Sequence, residues 1–207
     1  MIKEQVTKEL NLIGLKSLNP PLFYNAEYGI RFEIGVGNVY DSNMEPRKEY
    51  IENALNRAMT IYRSGLKFPS FLVWKVNPQN EEESINLKNL FFRKIAPVLP
   101  HEELSEYVEA GSDTMNQTQF YWDLNKSEIP IDKVFYEIIL GDIGGSADFV
   151  SSIYIVDVQS HVILQLYDDM GLDIVSYDKD RLLPVYKELK SWILDYDRKE
   201  IDDKFAD

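Results

Sequence analysis

Between residues 28 and 36 apolar and polar positions alternate with a period of two. In YGIRFEIGV, Tyr28, Ile30, Phe32, Ile34 and Val36 point one way while Arg31 and Glu33 point the other. That pattern predicts a strand with one buried face. Gly35 and Gly37 then act as a bend or bulge, because GVGNVY lacks the third glycine and the following helix that cradle a dinucleotide. Ahead of this strand, MIKEQVTKELNLIGLKSLNPP reads as a short amphipathic helix ended by Pro20 and Pro21.

Further along, the period changes to that of a helix. MEPRKEYIENALNRAMTIYRSG carries Ile51, Ala54, Leu55, Ala58, Ile61 and Tyr62 on one stripe, with Pro46 near its start and Gly65 at its stop. SFLVWKV is apolar enough for a central strand. A second helix follows, opened by Glu81, Glu82 and Glu83 and turning Leu87, Leu90, Phe91 and Ile95 inward. HEELSEYVEAG is expected to add a further short helix. QTQFYWDL is expected to be a strand, and PIDKVFYEIILGDIGG a helix capped near Asp132 and ended by its glycines.

Three strands close together, SSIYIVDV, VILQLYD and LDIVSYD, predict an antiparallel meander. Leu182, Val185, Tyr186, Leu189, Trp192, Ile193 and Tyr196 then recur at helical spacing and predict a long C-terminal helix. The order favours an α+β fold in a single domain over residues 1–207, with a mixed or antiparallel sheet packed by several helices.

Composition narrows the function classes. The chain has 207 residues, 44% hydrophobic and 13% aromatic, which is enough to bury a sizeable core. It has no cysteine, so disulfides, thiolate catalysis and cysteine zinc sites are excluded. No apolar run reaches the ~20 residues that span a bilayer, and the N-terminus lacks the apolar core of a signal peptide. A cytoplasmic location is expected, so the N-x-[ST] triplets at Asn116 and Asn125 carry no weight.

The net charge is -13, and it is unevenly placed. Residues 1–100 hold 13 Lys/Arg and 11 Asp/Glu, whereas residues 101–207 hold 9 and 24. An acidic half disfavours direct contact with nucleic acid or anionic lipid and attracts a basic protein. Its ordinary role is solubility.

Within the acidic half, LYDDMGLDIVSYDKD concentrates Asp168, Asp169, Asp173, Asp178 and Asp180. Together with the preceding helix DKVFYEIILGDIGG and the following Leu183, Pro184, Tyr186 and Trp192, this stretch resembles an uncharacterised bacterial family found especially among Bacillus-type organisms. Members of that family typically carry LYDDRG-D. The resemblance implies the fold and a bacterial origin and supplies no activity. Met170 stands where the family usually has arginine, so a role that needs that cation is not expected here.

The aspartates do not have the spacing of a calcium loop. A hairpin turn explains them more simply, with Gly171 left-handed and an Asp bonding forward to the turn amides. His101, at an expected helix start, and His161, in a turn, read as exposed turn residues rather than ligands. Tyr121 and Trp122 would face opposite sides of their strand, covered by packing elements unless the outer one anchors a partner. No nucleophile elbow, phosphate loop or HExxH occurs.

The expected function is a non-enzymatic acidic binding protein, in its specific form an immunity protein or antitoxin covering a basic toxin. The contact surface would use Asp168, Asp169 and Asp173, with Asp142, Asp148 and Asp178 beside them. No catalytic residue, metal or cofactor is assigned. The alternatives are a hydrolase built on a carboxylate cluster, with or without a metal, and a module acting through its own dimer interface.

Overall fold

The computed structural model describes residues 1–110, 113–144 and 152–206. Seven strands form one sheet in the order β1-β7-β6-β5-β2-β4-β3, and every neighbouring pair is antiparallel. The strands are β1 (Tyr28–Glu33), β2 (Phe71–Val76), β3 (Glu102–Ala110), β4 (Asp113–Asp123), β5 (Ser152–Asp157), β6 (Val162–Leu166) and β7 (Gly171–Ser176). β5 to β7 are the expected meander, and the fold is α+β.

The helices are α1 (Ile2–Ile13), α2 (Lys48–Gly65), α3 (Glu81–Lys94), α4 (Ile131–Asp142), α5 (Lys179–Leu189) and α6 (Arg198–Phe205). They cover the sheet unequally. α2 to α6 pack on one face, where Leu72, Trp74, Phe120, Trp122, Ile155, Leu164 and Ile174 meet the stripe of α2 and Phe91, Phe135 and Leu182. α1 and the segment after it cover the other face, where Val6, Leu10, Leu18 and Leu22 meet Val73, Tyr121, Tyr154 and Ile163. With layers on both sides, β2, β6 and β7 are buried along their whole length. That is why they lack the alternation seen in β1.

Three expected elements differ. α1 ends at Ile13, capped by the left-handed Gly14, and not at Pro20 and Pro21. HEELSEYVEAG forms β3, not a helix, because nine residues of it pair in register with β4. His101 therefore sits before a strand, where its Nδ1 accepts the Asp123 amide at 3.2 Å. The C-terminal helix is present but ends at Leu189, and a 3-10 turn over Lys190–Trp192 follows. There the chain turns to cover the edge of the sheet: Ile193 bridges Phe32, and the Leu194 amide donates to the Arg31 carbonyl at 3.0 Å. Tyr121 and Trp122 are both buried, one under each layer.

Candidate functional site

The hairpin joining β6 to β7 carries the aspartate motif at its tip. Asp168 Oδ1 accepts the amides of Met170 at 2.8 Å and Gly171 at 2.6 Å, so it closes the turn as a short side-chain cap. Gly171 is not left-handed; positive φ is found instead at His161, in the β5–β6 turn, among other residues. Gly171 is required because a Cβ there would overlap the Tyr167 ring and hydroxyl. Met170 is 57% exposed at the tip, while its carbonyl accepts the Ile34 amide at 2.8 Å.

Asp169 turns inward and is buried, accepting a hydrogen bond from the Tyr50 hydroxyl of α2. Burial and this carboxylate push the Tyr50 phenol upward, so it stays a donor. The carboxyl of Asp142, at the end of α4, hydrogen-bonds to Asp169. That bond, partial burial and the charges of Asp169 and Asp168 push Asp142 up to about 6. A carboxyl beside other carboxylates keeps its proton to higher pH than one alone.

Asp173 lies deeper, in a polar row that crosses the sheet on its α1 face. Arg31, Asp173, Gln165 and Tyr154 are register partners on β1, β7, β6 and β5. The segment between α1 and β1 lies along that row and is bonded to it. Tyr154 Oη donates to the Leu18 carbonyl at 3.1 Å, Gln165 Oε1 accepts the Leu22 amide at 3.0 Å, and Asp173 Oδ2 accepts the Phe23 amide at 3.0 Å. Lys75 adds a further tie, its Nζ donating to the Leu18 carbonyl at 2.6 Å.

Arg31 ends the row between two aspartates, ion-paired with Asp173 at 3.7 Å and Asp197 at 3.5 Å and also linked to each through a tyrosine. Its Nε donates to Tyr167 Oη at 2.9 Å, which donates to Asp173 Oδ1 at 3.3 Å. Its Nη1 donates to Tyr24 Oη at 2.9 Å, which donates to Asp197 Oδ1 at 3.0 Å. Burial nevertheless pushes Asp173 up to about 6, against the opposing pull of the Phe23 amide, Arg31 and Tyr167. Desolvation of the carboxylate outweighs its partners.

A family model described as a domain of unknown function, DUF3885, matches residues 7–197. The chain belongs to the DUF3885 family. No curated protein and no solved structure matches it significantly. The matched region of the DUF3885 domain contains the hairpin, the polar row and β3, while α6 lies beyond it.

The residues expected to form one contact surface thus have separate fates in this DUF3885 domain. Asp169 and Asp173 are buried and bonded internally, which corrects their assignment to a partner surface: neither can reach a partner without opening the fold. Asp168 is half-buried and closes the turn. Asp178 caps α5, its Oδ1 accepting the Asp180 amide at 3.0 Å. Asp142 is exposed beside Asp169. Asp148 lies outside the described residues.

Arg31, Tyr50, Tyr167, Gln165 and Asp197 were not singled out in the sequence. One signal was legible: Gln165 is a polar residue inside the apolar run VILQL, and a buried amide needs partners. Among the described residues no three His, Asp or Glu side chains are grouped so as to hold a metal ion. Nor is any described helix long and apolar enough to cross a membrane.

Proposed function

We propose that this chain is a non-enzymatic binding protein that docks on a basic protein partner, in its specific form a cytoplasmic immunity protein or antitoxin that covers a basic toxin. What supports the reading is the division among its acidic residues. The motif aspartates hold the hairpin, while other acids of the second half, such as Glu103, Glu106, Asp132, Asp142 and Asp180, stay in water. A field of exposed acid steers a basic partner and raises its association rate. The test is co-expression with the product of the neighbouring gene. Protection from that product's toxicity and recovery of a complex are expected; a toxic product that stays free and active would overturn the toxin version.

A second reading rests on Asp142. An exposed carboxyl raised to about 6 beside Asp168 and Asp169 is shifted toward the range in which a general acid works. Hydrolysis of a small ester substrate, lost in Asp142→Asn with the fold intact, would favour this reading over the first.

A further inference from the structure

The β1 edge of the sheet is covered by Ile193 and Leu194, but the β3 edge is open: among the described residues β3 pairs with β4 alone. The start of β3 is tied to both flanking layers. Glu102 accepts the amides of Ile2 at 2.5 Å and Lys3 at 3.0 Å, and Glu103 pairs with Lys88 of α3 at 2.7 Å. Beyond it Leu104 still packs on the α1 layer. Glu106 is exposed, and Tyr107 is 81% exposed.

Alternate amides and carbonyls of an edge strand point away from its single partner, and such an edge recruits further strands unless it is blunted. β3 has nine residues, which at about 3.4 Å each give roughly 30 Å of such backbone. Its sequence, EELSEYVEA, contains four glutamates and no cation. A second copy pairing here would bring glutamates against glutamates, and like charges directly opposite are unfavourable. A strand carrying cations at alternate positions would lay them all on one face, where they would meet the exposed Glu106 on the α1 side of the sheet.

We propose that the β3 edge takes up an extended lysine- or arginine-rich segment of a protein partner as an eighth strand of the sheet. The proposal rests on the basic-partner reading and gives that partner an address. Backbone hydrogen bonds would supply affinity that is indifferent to side chains, and the glutamates would select the cationic segment and exclude a second copy.

The experiment uses the full chain and a labelled ten-residue peptide of alternating lysine and threonine. A twin peptide carries four consecutive N-methylated central residues, which keeps its charge but removes the central amide donors. By fluorescence anisotropy at low salt, the unmodified peptide is expected to bind at least tenfold more tightly than its twin. It should also slow hydrogen exchange of amides within residues 104–108. Glu106→Lys, with an unchanged circular dichroism spectrum, should weaken binding at least tenfold. Equal affinity of the twins with protection elsewhere would overturn the edge site and leave the basic-partner reading standing. No binding of either peptide would remove both. A dimer by light scattering, with residues 104–108 already protected, would overturn the proposal by placing a second copy on the edge.

Discussion

Asp173 shows how one buried carboxylate can be needed for the fold and still disfavour its own charge. Its folded pKa, near 6, lies above the value of about 4 expected in the unfolded chain. The folded state therefore binds the proton more tightly, and the stability this contributes is present at low pH and lost as pH rises through 6. Urea unfolding should show about 2 kcal/mol more stability from this residue at pH 4.5 than at pH 7. Asp142 acts in the same direction. Asp41, held below the ordinary range by the amides of Glu45 and Asn43, and Asp202, held there by Tyr186 and Lys190, act oppositely at more acid pH.

Asn at position 173 keeps an acceptor for the Phe23 amide and removes the charge. Asp173→Asn is expected to unfold within about 1 kcal/mol of the wild type at pH 7 and to lose that residue's share of the pH dependence. Asp173→Leu leaves the Phe23 amide without its acceptor and takes from Arg31 one of its two aspartates, and should cost about 3 kcal/mol or more. A flat wild-type profile between pH 7 and 4.5 would contradict this account. Gly171→Ala forces a Cβ into the Tyr167 ring and should lower stability by about 1–3 kcal/mol in the same assay.

At the scale of elements, the sequence was most legible where one periodicity dominated. The alternation of β1 and the stripe of α2 led directly to the observed elements, and the apolar runs of the meander did so through their length and their short turns. β3 misled because Glu102, Glu103, Glu106 and Glu109 stand at helical spacing, and only pairing with β4 makes the segment a strand. The stripe from Leu182 to Tyr196 misled in another way: it kept helical spacing past the point where the backbone leaves the helix.

Arg198 fixes that departure, donating to the carbonyls of Lys190 at 2.8 Å and Ile193 at 2.6 Å and to Asp195 at 2.9 Å. Arg198→Ala should cost about 1–3 kcal/mol by urea unfolding and loosen the cover of the β1 edge, seen as faster exchange of the Leu194 amide. The turn-closing role of Asp168 was legible in the sequence, but the buried roles of Asp169 and Asp173 were not. Whether an acid faces water or a backbone amide 150 residues away, as Asp173 faces Phe23, is set by strand order, which local patterns do not encode.

At the scale of the whole molecule, the charge skew gains a physical meaning once the buried aspartates are set aside. They cannot act on a partner by contact, so in the proposed basic-partner reading recognition would fall to acids that remain in water. Contacts of that kind weaken with salt, since screening reaches about 10 Å at 0.1 M. Calorimetric titration of the neighbouring gene's product into this chain at a series of salt concentrations measures that dependence directly. The account predicts binding that weakens steadily as salt rises and that Glu106→Lys reduces at least tenfold while Asp173→Asn leaves it unchanged. Binding that is insensitive to salt, or that is lost in Asp173→Asn with the fold intact, would contradict it.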